Sequence, residues 1–131
     1  MKKYGILNHP LSELIAATGH ADIITVSDAG LPLDPSLPRI DLCLTKGMIP
    51  MKDMLIAIND ELEIEGIILA EEIKEKSPDQ LAFYEELFKE IPFYFIPHIE
   101  FKQKTSSSRG IVRTGEAVSY SSVILIAGVT Y

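Results

Sequence analysis

The spacing of apolar residues predicts four helices along the chain. In the first, Leu11, Leu14 and Ile15 share one face, and Gly19 is well placed to end the helix. The second follows Pro50, the third begins at a capping box with a proline at its first position, and the fourth is short and polar. The second helix has Met51, Met54, Leu55, Ile58 and Leu62 on one face. The third begins at residues 77–80 and has an inner face of Leu81, Tyr84, Leu87 and Phe88. The fourth covers residues 100–108.

Apolar and alternating segments between these helices predict six strands. They are residues 23–26, 39–44, 66–70, 93–96, 110–114 and 123–127. The link between the last two is short enough for a hairpin-like connection, although its length also allows other geometries. Strands that alternate with helices predict a three-layer α/β/α fold with a largely parallel sheet, in a single domain that spans residues 1–131.

Composition narrows the classes of partner. A chain of 131 residues with a net charge of -7 lacks the clustered cations that bind nucleic acid or anionic membranes, whereas a neutral sugar would fit. No apolar stretch approaches the roughly 20 residues of a membrane span, and no signal-peptide pattern is visible at the start. We therefore expect a soluble, cytoplasmic protein. Cys43 is the sole cysteine, which excludes an internal disulfide.

Several common kinds of site have no support in the sequence. There is no GxGxxG, P-loop, HExxH or GxSxG pattern, and the three histidines lack short-range metal-ligand spacing, so no metal and no cofactor is expected. Glu71 and Glu72 follow a strand, but a solvated helix start explains them better than acid/base work. Methionines at 48, 51 and 54 indicate core packing or a subunit contact, and not a soft metal site.

Four polar side chains follow apolar strands or helices and are candidates for chemistry: His20, Asp28, His98 and Tyr120. His20 and Asp28 flank the first strand, and histidine handles protons near neutral pH, so the two could form a proton-handling pair. Purely structural roles are also open to three of them. His20 could be a cation at the helix C-terminus, His98 could cap the turn after Pro97, and Tyr120 could pack a strand end.

The stretch at residues 19–32 carries a family resemblance. Gly19-His20-Ala21-Asp22, a hydrophobic strand and Asp28-Ala29 resemble the signature of the D-ribose pyranase and fucose mutarotase family, and the ending at Pro32 is closer to the ribose branch. The resemblance also covers the start of the chain, residues 40–42 and residues 113–116, and so spans nearly the whole sequence.

The resemblance implies a cofactor-independent isomerase that exchanges the pyranose and furanose forms of D-ribose. His20 corresponds to the proton donor, and the sugar-binding positions are Asp28, His98, Tyr120, Ser121 and Ser122. Asp28 would hold His20 or a sugar hydroxyl in register. The family pattern is Tyr-Ala-Asn where this chain has Tyr120-Ser121-Ser122, so an amide is lost at Ser122. The resemblance also implies a homodecamer of stacked rings with each site shared between subunits.

Two other functions compete with this interpretation. The chain could be a mutarotase for fucose or another monosaccharide, or a non-catalytic accessory protein that binds sugar. A titratable residue at His20 favours the enzyme, because pure binding rarely needs an imidazole.

Overall fold

A computed structural model describes all 131 residues of the chain. The six strands and the four predicted helices lie close to the positions that the apolar pattern predicts, and a fifth, one-turn helix follows the third strand at residues 73–76. They are α1 (His9–Ala17), β1 (Ile23–Ser27), β2 (Arg39–Asp41), α2 (Met51–Asn59), β3 (Ile64–Ala70), α3 (Ile73–Lys76), α4 (Pro78–Leu87), β4 (Phe93–Ile96), α5 (His98–Lys104), a 3-10 turn (Thr105–Ser107), β5 (Gly110–Arg113) and β6 (Val123–Ala127). None of the helices has the length and apolar character that crossing a membrane requires.

The strands form one six-stranded sheet in the order β2-β5-β1-β6-β3-β4. β6 runs antiparallel to both of its neighbours, β1 and β3, and the other strands pair in parallel. The prediction of a largely parallel sheet is therefore confirmed. The hairpin-like connection is wrong, because β1 lies between β5 and β6 and each of them pairs with it instead.

Both faces of the sheet are covered, which confirms the three-layer arrangement. The larger core packs α1, α2, α3 and α4 against one face through side chains such as Val26, Leu69 and Leu125. On the other face, Phe101 of α5 and Leu31 of the loop after β1 pack against Ile68 and Ile124. Full burial of one such side chain contributes about 1.5–3 kcal/mol, so the cluster of 19 buried residues contributes more hydrophobic stabilisation than the cluster of 5 on the other face.

Two local predictions differ from the structure. The second strand ends at Asp41 and not at residue 44, because its partner β5 ends at Arg113 and the Asp41 carboxylate accepts a hydrogen bond from the Cys43 N–H, 3.1 Å away. Ser77 does not cap α4, since its hydroxyl donates to the Ser119 carbonyl instead. Of the predicted methionines, Met51 is fully buried, whereas Met48 lies outside α2 and is exposed.

Candidate active site

β6 runs opposite to its neighbours, so three parts of the chain meet at one end of the strands. Asp28 follows the carboxyl end of β1, His98 follows that of β4, and the segment that leads into β6 reaches the same end. Loops at the carboxyl ends of strands are where α/β proteins commonly bind ligands. Here they enclose an open pocket of about 280 Å³, lined by Asp28, Gly30, Leu31, Pro32, His98, Ser119 and Tyr120.

Asp28 is fixed in place by its neighbours. One carboxylate oxygen accepts a hydrogen bond from the Gly30 N–H at 2.9 Å, and the other accepts one from the Ser122 hydroxyl at 2.7 Å. The Asp28 N–H donates back to the same hydroxyl at 2.9 Å. Ser122 is almost completely buried, so its side chain acts on Asp28 and does not face the pocket.

The rings of His98 and Tyr120 form a second wall of the pocket. They meet edge to face with centroids 5.0 Å apart, and Phe101 stacks on His98 from the protein interior at 6.2 Å. Both carboxylate oxygens of Glu72 accept from the His98 N–H, at 3.1 and 3.0 Å. Glu72 therefore holds the first residue of α5, a role that its position after a strand did not reveal. The buried His98 Nδ1 has no partner within the chain.

Ser121 lies beneath the pocket and does not line it. It is fully buried, and its hydroxyl donates to the Val118 carbonyl at 2.7 Å. Of the predicted sugar-binding residues, the structure thus brings Asp28, His98 and Tyr120 to one pocket surface. Ser121 and Ser122 support that surface from within.

Residues 113–116 hold the loop that carries Asp28, which the sequence marked only as part of the family pattern. The Arg113 guanidinium donates to the Ala29 carbonyl at 2.9 and 3.2 Å, and the Ala29 N–H donates to the Glu116 carbonyl at 2.8 Å. Arg113 also binds the carboxylate of Asp41 at 3.0 Å. Partial burial alone would raise the pKa of Asp41, but the hydrogen bonds from the Cys43 N–H and Arg113 lower it below the usual value.

His20 precedes β1 and therefore lies at the opposite end of the strands from this pocket. The five residues of β1, with a rise of about 3.3 Å each, separate it from Asp28. Its Nε2 is 3.0 Å from a carboxylate oxygen of Glu65 near the start of β3, and the two side chains are 57% and 45% exposed. Within one chain, the direct contact between His20 and Asp28 does not form.

Asp22 organises the turn that presents His20. Its carboxylate accepts hydrogen bonds from the Gly19 N–H and from Arg109, both at 2.9 Å. The Gly19 N–H, together with the charge of Arg109, holds the pKa of Asp22 below its usual value. This carboxylate is therefore charged at neutral pH and keeps the turn closed. No three His, Cys, Asp or Glu side chains are grouped so that they could hold a metal ion.

The fold and the pocket define a small α/β protein with a polar site suited to a small uncharged ligand. A family model described as the RbsD / FucU transport protein family matches residues 1–130, and the chain belongs to this family. The family resemblance seen at residues 19–32 is thereby confirmed.

Individual relatives agree over the full length. A D-ribose pyranase of Geobacillus kaustophilus is 46% identical over 131 residues, which covers 100% of this chain and 96% of that protein. A D-ribose pyranase of Pseudothermotoga lettingae is also 46% identical, with 100% of this chain and 94% of that protein covered. The solved structure of Bacillus subtilis RbsD complexed with D-ribose superposes with a TM-score of 0.96, at 39% identity and with both chains covered completely. A fucose mutarotase from Streptococcus pneumoniae in complex with L-fucose, at 19% identity and a TM-score of 0.86, with 99% of this chain and 100% of that chain covered, shares the fold.

Proposed function

We propose that this chain is a cofactor-independent isomerase that interconverts the pyranose and furanose forms of D-ribose. One observation carries the proposal: Asp28, His98 and Tyr120 line a single pocket in a chain whose fold matches that of a 39% identical protein bound to D-ribose. Relatives named D-ribose pyranase at 46% identity over the whole chain support it.

The residue types suit this chemistry. Ring opening needs a proton delivered to the ring oxygen while the anomeric hydroxyl loses one, and ring closure through another hydroxyl reverses the traffic. An imidazole transfers protons in both directions near neutral pH, which is the role proposed for His20. Carboxylate, imidazole and phenol groups at Asp28, His98 and Tyr120 would bind the sugar hydroxyls. One positioned acid/base group accelerates a reaction by about 10² to 10⁴, which suffices for an exchange that already proceeds unaided.

The proposed site needs a second copy of the chain. His20 and the pocket lie at opposite ends of the strands. A reaction that uses both therefore requires His20 of one subunit to face the pocket of another subunit. Exposed apolar side chains at Met48, Tyr94 and Ile99 supply surface for such contacts. We propose that the chain assembles into a homodecamer of two stacked pentamers, in which each site is shared between subunits, and that it acts in the cytoplasm.

Saturation-transfer NMR on D-ribose tests the function directly. We expect the protein to accelerate exchange between the pyranose and furanose signals, and His20→Ala to remove most of that acceleration while the circular dichroism spectrum stays the same. His9→Ala is the matched control, because His9 is exposed at the start of α1, away from the pocket. Unchanged acceleration in His20→Ala would refute the role of His20.

The same experiment separates the competing functions. Faster anomeric exchange of L-fucose than of D-ribose would identify a fucose mutarotase instead. Tight binding of ribose without any acceleration would identify a non-catalytic sugar-binding protein.

A further inference from the structure

Two buried hydroxyl groups hold the backbone on either side of Tyr120. The Ser77 hydroxyl, just before α4, donates to the Ser119 carbonyl at 2.6 Å. The Tyr84 hydroxyl, in the middle of α4, donates to the Ser121 carbonyl at 2.6 Å. The two carbonyls belong to the residues directly before and after Tyr120, so the segment is anchored at both of its ends, by the residue that precedes α4 and by α4 itself.

Tyr120 needs such an anchor because of its backbone conformation. Its φ is +57°, in the left-handed region that residues other than glycine rarely adopt. A residue keeps this conformation only when its surroundings impose it. The conformation turns the Tyr120 ring against His98, with centroids 5.0 Å apart, and so forms one wall of the pocket.

Tyr84 is suited to act as a permanent donor. Its side chain is fully buried in the main core, and burial raises the pKa of its phenol well above the usual value, so the hydroxyl stays protonated. The Gln80 side-chain amide donates to the Tyr84 oxygen at 2.9 Å, which leaves the Tyr84 proton for the Ser121 carbonyl. Burying a phenol hydroxyl without hydrogen-bond partners costs free energy. The Tyr84 hydroxyl avoids this cost because it has both a donor and an acceptor as partners.

We propose that Ser77 and Tyr84 are positioning residues for the sugar site, which fix Tyr120 against His98 from behind without touching the ligand. The proposal rests on the proposed function in one respect, namely that ribose is the ligand of the pocket. Neither residue lines the pocket. Their effect therefore reaches the sugar through the backbone of residues 119–121.

Tyr84→Phe and Ser77→Ala each remove one hydroxyl and keep the rest of the side chain or its stem. Tyr84→Phe also leaves the Gln80 amide without its acceptor, whereas Ser77→Ala changes only the bond to the Ser119 carbonyl. In the sugar-free protein, we expect the backbone 15N order parameters of residues 119–122 to fall, because each variant releases one of the two anchors of this segment. For the dissociation constant of D-ribose, followed by NMR titration, we expect a rise of about three- to tenfold, the equivalent of one lost hydrogen bond. The half-saturating ribose concentration should rise more than the exchange rate at saturation falls, because the proton donor His20 lies elsewhere. Tyr4→Phe and Ser106→Ala, at exposed positions, are the matched controls.

The outcomes separate positioning from a purely structural role. A lower unfolding temperature with unchanged ribose affinity and unchanged order parameters at residues 119–122 overturns the proposal. If Tyr84→Phe does not fold, Ser77→Ala decides the question by the same two measurements at the other carbonyl. A wild-type protein that fails to accelerate ring exchange contradicts the proposed function alone, since the order-parameter measurement requires no sugar.

Discussion

Asp28 and Ser122 hold each other across the end of the sheet by a reciprocal pair of hydrogen bonds. The Ser122 hydroxyl donates to the Asp28 carboxylate at 2.7 Å and accepts from the Asp28 N–H at 2.9 Å. The two residues are 94 positions apart in the chain and meet because β6 lies antiparallel beside β1. A buried serine therefore sets the position of the carboxylate that lines the pocket.

Replacing Ser122 should weaken the site through Asp28. In Ser122→Ala, the carboxylate loses one hydrogen bond and the Asp28 N–H loses its acceptor, so we expect ribose affinity to fall about three- to tenfold and the free energy of unfolding to fall by about 1–3 kcal/mol. NMR titration with D-ribose and urea unfolding measure the two quantities. Ser106→Ala, at an exposed position, should change neither. Wild-type affinity in a folded Ser122→Ala protein would show that Asp28 does not depend on this hydroxyl.

Mixed subunits should recover activity that neither parent variant has. If His20 and Asp28 of one site come from different copies, His20→Ala and Asp28→Asn proteins are each inactive, but refolding them together in equal amounts leaves about a quarter of the sites with both wild-type groups. Saturation-transfer NMR on ribose measures the recovered exchange. The control is a refolded mixture of His20→Ala with the double variant His20→Ala/Asp28→Asn, which cannot form an intact site. Absence of recovery in mixed assemblies, with both single variants folded, would contradict a shared site.

Glu65 should matter for the rate and little for stability. Its carboxylate is 3.0 Å from His20 Nε2, and both side chains are more than two-fifths exposed, so the pair contributes only about 0.2–1 kcal/mol to folding. Glu65→Gln keeps the size of the side chain but removes the charge that orients the imidazole. We expect the ribose exchange rate to fall severalfold with an unchanged unfolding temperature. Glu63→Gln, at an exposed position two residues earlier, is the control, and equal rates in the two variants would refute the role of Glu65.

Asp22 should give the turn before β1 a stability that depends on pH. Its pKa in the folded protein lies below 3.8, so its contribution is fully present above pH 3.8 and disappears as the pH falls through the lower, folded-state pKa. Asp22→Asn should therefore be less stable than the wild type at pH 7, and the difference should shrink in the most acidic solutions in which both still fold. Urea unfolding over this pH range measures it, with Glu90→Gln, at an exposed position in the turn after α4, as the control. A difference that is independent of pH would contradict this role.

Much of the local structure could be predicted from the sequence. The helical spacing of Leu11, Leu14 and Ile15 marks the buried face of α1, and the apolar run at 66–70 lies within the central strand β3. Ser77 shows the limit of such rules. Its sequence context is that of a helix cap, but in the folded chain its hydroxyl donates a hydrogen bond to the Ser119 carbonyl, 42 positions away.

The candidate site divides in the same way. The residue types, the family resemblance and the positions of His20, Asp28, His98 and Tyr120 just outside strands or helices were all visible in the sequence. The grouping of these residues was not visible, because the sequence does not show which strands are neighbours in the sheet or in which direction each one runs. Asp28, His98 and Tyr120 meet at one pocket, whereas His20 lies at the opposite end of the strands, beside Glu65.

The sequence by itself determined the elements, the α/β class and the chemistry available, because the periods of helix and strand record which side of each element is buried. Only the tertiary structure decided that β6 enters between β1 and β3 in the opposite direction. That insertion places Ser122 under Asp28 and Tyr120 beside His98, through contacts between residues far apart in the chain. Such contacts depend on how whole elements pack together, and no local spacing encodes them.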